Sequence, residues 1–244
     1  MKFYEFDEKQ KRVDIFNERF YPKKLDDGSI KWYRNVTTIL GIINKGYGYD
    51  EWLKQTGYTS EYIVDQAGKF GTTFHNLVER YLHREKVSYY DIEGFNEFAR
   101  TALWERFNLW MAFWDELNEK HKVTYKSEGI EYVCYNDKYE YAGTVDFCCV
   151  VDGANTIFDW KSGNYVGDSQ KLQLTAYMAA TNTTQARIVH IPAKKPNKKG
   201  YKIIEVDYQQ ELFDLFIASK KLFDSQNKDL PKVLTLPLQF QKEN

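Results

Sequence analysis

Two short segments hold residue types from which hydrolytic chemistry is built. The first is Tyr141-Ala142-Gly143-Thr144-Val145-Asp146-Phe147, a β-forming run that carries a carboxylate. The second is Thr156-Ile157-Phe158-Asp159-Trp160-Lys161, with a carboxylate and an ammonium two residues apart. Between them Asp152-Gly153 suits a two-residue hairpin loop. With that loop Asp146 lies directly opposite Asp159, and Lys161 shares their face. With a four-residue loop Asp146 opposes Lys161 instead, and all three still share a face. Alternation puts Val145, Phe147, Cys149, Val151, Phe158 and Trp160 on the other face. Two opposed carboxylates repel unless a cation sits between them, and hard oxygen ligands suit Mg²⁺ or Mn²⁺. Such an ion can polarise a phosphoryl oxygen and lower the pKa of a bound water. Lys161 would orient or help activate that water, or stabilise charge on phosphorus. The blander alternative is a surface hairpin with Asp159 and Lys161 as a solvated pair.

Two further pairs have spacing that matters. His75 and Glu79 stand four residues apart on one helix face, where imidazole and carboxylate can complete a metal shell or support it. Gln173 and Tyr177 share the same spacing and can hydrogen-bond phosphate or the catalytic strand. Each pair alone also fits an ordinary helix. The basic run Lys194, Lys195, Lys198 and Lys199 reads either as a solvated hairpin loop or as a phosphate-contacting loop.

The elements that must position these groups follow from periodicity. Residues 1–36 read as short strands and turns, with a turn at Asp26–Ser29. Thr37 or Thr38 could cap a short helix through Ile43. Residues 50–68 read as short helices, followed by helices over 69–85 and 94–120. Phe98, Leu103, Phe107, Trp110 and Trp114 in the last of these read as core. Strands are expected over 126–135, 141–151 and 155–161, a helix over 169–181, strands over 187–191 and 202–206, and a helix over 209–226. That order predicts an α/β fold with a mixed central sheet flanked by helices. It is read as one domain: an extension of helices and strands (1–65), a core (66–226) and a tail (227–244).

Composition excludes several classes. With 43% hydrophobic residues the chain can bury a core, and no apolar run reaches transmembrane length. The first residues are not of signal-peptide type, so a cytoplasmic location is expected, the host cytoplasm if the protein is phage-encoded. Cys134, Cys148 and Cys149 are an odd set without CxxC spacing, which argues for free thiols and against a zinc or iron–sulfur site. A net charge of −1 disfavours bulk electrostatic coating of nucleic acid but allows a local basic groove. No GxxxxGK[ST] run is present, so no helicase motor is expected here.

Taken in order, the motifs resemble the RecB-like branch of the PD-(D/E)XK nucleases. That pattern reads here as Gly71-x-x-x-His75-x-x-x-Glu79, Glu131, Gly143-x-x-Asp146, Asp159-Trp160-Lys161 and Gln173-x-x-x-Tyr177. Within the branch the chain is most similar to the mitochondrial genome-maintenance exonucleases and their phage-encoded relatives. The resemblance implies a restriction-endonuclease-like core and a Mg²⁺-dependent deoxyribonuclease, with Mn²⁺ as an alternative ion. The expected reaction is exonucleolytic hydrolysis of phosphodiester bonds, leaving 5′-phosphate ends, on single-stranded or end-containing DNA. It implies His75, Asp146, Asp159 and the Trp160 carbonyl as metal ligands, and Lys161 acting on the water. Gln173 and Tyr177 would position DNA or the active-site strand, while Glu79 and Glu131 would serve a second metal or a structural hydrogen bond. The partner is DNA, with no membrane and no protein partner indicated. A structure-specific endonuclease would use the same centre with different DNA access. A binding module that never cuts would have no need of Asp159 or Lys161, and a glycosidase would have no need of Lys161 or the His75–Glu79 helix.

Overall fold

In the computed structural model, which describes residues 12–15, 18–43 and 46–228, nine strands and six α-helices form in the expected order. They are β1 (Val13–Ile15), β2 (Glu18–Lys24), β3 (Ile30–Asn35), α1 (Val36–Leu40), α2 (Tyr47–Thr56), α3 (Thr59–Leu82), α4 (Glu97–Lys120), β4 (Val123–Thr124), β5 (Ile130–Asn136), β6 (Tyr141–Val151), β7 (Ala154–Lys161), α5 (Asp168–Thr181), β8 (Gln185–His190), β9 (Lys202–Asp207) and α6 (Gln210–Gln226). The expectations for residues 1–11 and for the tail beyond 228 lie outside the described residues.

One sheet runs β1-β2-β3-β6-β7-β8-β9, with β4 and β5 also paired to β6. It is mixed: β3 meets β6 and β7 meets β8 in parallel, while the remaining pairs are antiparallel. The β7–β8 link needs a crossover, and α5 supplies it. The N-terminal strands are therefore not an appendage. Arg34 pairs with Tyr141 and Asn35 with Ala142, so the hairpin continues the core sheet.

The two sheet faces carry separate cores. Phe74, Leu77 and Val78 of α3 and Phe107, Trp110 and Phe113 of α4 pack with Phe147, Phe158 and Trp160 on one face. Helices α1, α5 and α6 pack with Tyr141, Val145, Ile157 and Ile188 on the other. Among the described residues no helix is long and apolar enough to cross a membrane. All three cysteines are free, with Cys134 and Cys149 buried and Cys148 half-buried.

Several local expectations need correction. The α3 helix is continuous from Thr59, where short helices were expected before residue 69, because packing of its C-terminal half carries the chain through Gly68 and Gly71. Asn35, not Thr37 or Thr38, caps α1, its side chain accepting from the Thr37 N–H. Phe98 is 85% exposed, one turn before the buried stripe of α4 begins. Val145 does not share a face with Phe147. Tyr141 and Val145 belong to the α5/α6 core, whereas Phe147, Cys149 and Val151 belong to the α3/α4 core. The neighbouring strand switches at the same level, between Ile130 and Cys134. At that level stands Glu131, at φ 49°. A left-handed conformation costs about 1–2 kcal/mol for a residue with a side chain.

Candidate active site

The hairpin that carries the central residues has the register expected from a two-residue loop. Asp152 and Gly153 have φ of 49° and 88°, as that turn requires, and the ladder pairs Val151 with Ala154 through Phe147 with Phe158. There it stops. The next rung would set Asp146 against Asp159, and instead β6 and β7 part. The Trp160 N–H donates to Asp146 Oδ2 at 2.7 Å, a carboxylate replacing the ladder acceptor. The Trp160 carbonyl, which faces the same gap, accepts from His75 Nε2 at 2.9 Å.

Both backbone groups of Trp160 are held in place by its ring. The indole is 1% exposed and packs on Trp110, Phe147 and Phe158 at centroid distances of 5.5, 6.1 and 5.5 Å. The fork lets helices from opposite faces reach one site. From α3 come His75 and Glu79, and from α5 come Gln173 and Tyr177. Gly143 makes the second approach feasible, since a Cβ there would lie 2.4 Å from the Tyr177 ring. Gln173 Nε2 donates to the Tyr177 hydroxyl at 3.1 Å.

The charged groups are close, with Asp159 buried and the others half-buried. Lys161 Nζ donates to Asp159 Oδ1 at 2.7 Å, and His75 Nδ1 lies 3.5 Å from Asp146 Oδ1. Burial pushes the Asp159 carboxyl up to about 6, with repulsion from Asp146 adding and Lys161 opposing. Burial and the Asp146 charge raise Glu131 to about 7. Burial also acts upward on Asp146, but His75, Lys161 and the Trp160 N–H outweigh it and hold that carboxyl below its usual value. For Lys161 burial acts downward and is outweighed by Asp159, Asp146 and Glu131, so the ammonium stays charged.

Ligand atoms of His75, Glu131 and Asp146 all lie within 4.8 Å of one another. Asp159 Oδ2 is buried and has no hydrogen-bond partner among the described residues, although a buried carboxylate oxygen normally has one. The imidazole and two carboxylates of His75, Glu131 and Asp146 fit a divalent cation, while Asp159, held by Lys161, is not one of that group. Glu131, the left-handed residue of β5, thus has its carboxylate beside Asp146.

The site opens into a cavity of about 640 Å³ lined by Gly71, His75, Glu79, Glu131, Asp146, Lys161, Gln173 and Tyr177. Every motif of the sequence pattern thus contributes to one place. The lysine loop does not. Lys194, Lys195, Lys198 and Lys199 are absent from the lining, and Lys199 is paired with Glu116 of α4 at 2.5 Å. The residues missed by sequence reasoning are Arg12, Arg19 and Tyr21 of the first hairpin, with Asn35, Thr37 and Thr144, all in the lining. Alternation in β2, with Phe20 buried between Arg19 and Tyr21, was the available signal.

A family model, the PD-(D/E)XK nuclease superfamily, matches residues 47–223, and the chain belongs to that superfamily. Its members use divalent metals, in keeping with the donor set described here. Among solved structures, the chain is similar to an alkaline exonuclease (LHK-Exo) from Laribacter hongkongensis, with 10% identity over 83% of this chain and 91% of that one (TM-score 0.44). The complex of LHK-Exo with dAMP gives 12% identity over the same shares (TM-score 0.45). A phage related exonuclease from Haemophilus somnus 129PT gives 13% identity over 65% of this chain and 82% of that one (TM-score 0.29). No curated protein matches the chain.

Proposed function

We propose that this protein is a Mg²⁺-dependent DNA exonuclease, Mn²⁺ serving as well, that hydrolyses phosphodiester bonds on single-stranded or end-containing DNA. The observation that carries the reading is the fork itself. It gathers His75, Glu131 and Asp146 within ligand distance and sets Asp159 and Lys161 on the adjoining strand. Asp146, Asp159, His75 and the Trp160 carbonyl would hold the ion, with Glu131 able to join them. When bound, the ion supplies charge neutralisation at the phosphate and a more acidic water.

The chain's own residues do the rest. Lys161, kept charged by the surrounding carboxylates, acts as a cation that orients the attacking water and offsets charge on the phosphoryl oxygens. It does not serve as the base in that state. Trp160 fixes Asp146 and His75 through its backbone, so both present one geometry to the substrate. Gln173 and Tyr177 brace the Gly143 segment and hold the strand that bears Asp146. Glu79 lines the cavity one turn beyond His75, where it can accept a proton or order water. A cavity walled by helices and by the N-terminal hairpin suits one strand or an end better than the side of a duplex.

The test is a time course on end-labelled single-stranded and duplex DNA, linear and circular, with Mg²⁺ or chelator. Cutting of linear but not circular DNA, abolished by chelator, is expected. Cutting of circles would make the protein an endonuclease of the same fold. DNA binding with no metal-dependent cutting of any substrate would make it a binding module.

A further inference from the structure

The charge of the cavity is unevenly distributed. Its acidic groups, Glu79, Glu131 and Asp146, come from α3, β5 and β6, while Arg12 and Arg19 come from the first hairpin. Neither arginine lies in the stretch matched by the superfamily model. The sheet fixes where they point. Val13 pairs with Phe20 and Asp14 with Arg19. Val13 and Phe20 are buried, so alternation turns Arg12, Arg19 and Tyr21 toward the cavity. The Tyr21 hydroxyl lies 2.9 Å from Thr144 Oγ1, and Arg19 hydrogen-bonds the same tyrosine side chain. Thr144 stands two residues before Asp146 on β6. Arg19 is thus tied through Tyr21 and Thr144 to the strand that carries the Asp146 carboxylate.

We propose that Arg12 and Arg19 form a phosphate-binding subsite that holds a phosphate of the substrate strand next to the one that is cleaved. Guanidinium groups stay charged and present forked N–H donors that match phosphate oxygens. An acidic metal end beside a basic end is the arrangement a polyanion with regularly spaced phosphates can satisfy at two points. The anion is a phosphate oxyanion, either an internal diester or a terminal monoester. This inference rests on the nuclease reading and adds the groups that seat the strand.

The test uses the full chain in chelator, so that nothing is cut. Binding of a labelled single-stranded oligonucleotide is followed by anisotropy from about 50 to 200 mM salt. Arg12→Ala and Arg19→Ala should each weaken binding and reduce the log–log salt slope by about 0.7, the single-strand value per phosphate contact. Arg19→Gln, which can still hydrogen-bond Tyr21, should lose the same slope, and Arg19→Lys should keep most of it. In Mg²⁺ the loss should fall on KM more than on kcat. An effect confined to 5′- or 3′-phosphorylated oligonucleotides would assign the terminal monoester, and an equal effect on circles the internal diester. A wild-type slope in folded Arg12→Ala/Arg19→Gln protein would overturn the subsite, as would a slope that responds only to Lys194→Ala/Lys195→Ala. If the wild type binds but never cuts, the nuclease reading fails, and a slope lost in the arginine variants then shows a phosphate contact on a bound strand without a cleaved neighbour. If it cuts and the arginine variants keep the wild-type slope, the nuclease reading stands and the subsite fails.

Discussion

Lys161 and Asp146 are half-buried ionic groups whose removal should separate chemistry from metal binding. Lys161→Ala removes the ammonium 2.7 Å from Asp159 Oδ1 and with it a charge aimed at the phosphate. Cleavage should fall by about 10²–10³-fold, the usual cost of deleting one transition-state donor, while calorimetry still detects Mg²⁺ or Mn²⁺ binding. Asp146→Asn keeps an oxygen that can accept from the Trp160 N–H and loses the charge. The fold should survive by circular dichroism, and metal affinity should drop by at least about tenfold, or 1.4 kcal/mol. Equal metal affinity in Asp146→Asn would remove that residue from the ligand set. At this scale the sequence was informative because the chemistry needs particular residue types: His75, Asp146, Lys161, Gln173 and Tyr177 line the cavity, and Asp159 holds Lys161. Arg12 and Arg19 were harder to see: alternation around Phe20 separates the two faces of β2, but only the strand pairing shows which face meets the cavity.

The close approach of α5 to β6 belongs to the scale of elements. Gly143→Ala would place a methyl 2.4 Å from the Tyr177 ring, backed by a helix that is buried along this face. Overpacking of this kind costs about 1–3 kcal/mol, so Tm should fall, and cleavage should fall with it as the strand bearing Asp146 shifts. Adding Tyr177→Ala should recover part of the stability lost to Gly143→Ala; a purely additive double variant would show that the contact is not the cause. Periodicity was sufficient for β6, β7, α5 and the 152–153 turn, since each has a short, regular pattern. It failed where tertiary contacts decide. The first half of α3 has little burial of its own beyond Ser60 and is helical as a continuation of the packed second half. The change of face between Val145 and Phe147 has no mark in the β6 sequence pattern.

Across the whole molecule, the β8–β9 loop is fastened to α4 by Glu116, which accepts from Lys120, Lys199 and Tyr201 and is thereby held down to about 2. A carboxyl with a depressed pKa stabilises the fold above the ordinary glutamate value of about 4.3, and that contribution fades as pH falls from there through about 2. Thermal unfolding followed between pH 6 and pH 2 should therefore show a flatter acid limb in Glu116→Gln than in the wild type; parallel limbs would mean that the contacts do not persist in solution. The same pairing ties Lys199 to α4, and none of the four lysines of that loop, which the sequence left open between a solvated and a phosphate-contacting role, lines the cavity. Charge in a sequence shows that cations are present, whereas their partners are set by packing between α4 and the loop, 83 residues apart for Glu116 and Lys199.

The torsion at Glu131 sets two demands on one position against each other. Glycine would adopt φ 49° with less strain, so Glu131→Gly should leave Tm unchanged or raise it while removing a carboxylate from beside His75 and Asp146. Selection for heat resistance alone would drift toward an inert protein at this residue, and a screen that scores only folding would count the loss as an improvement.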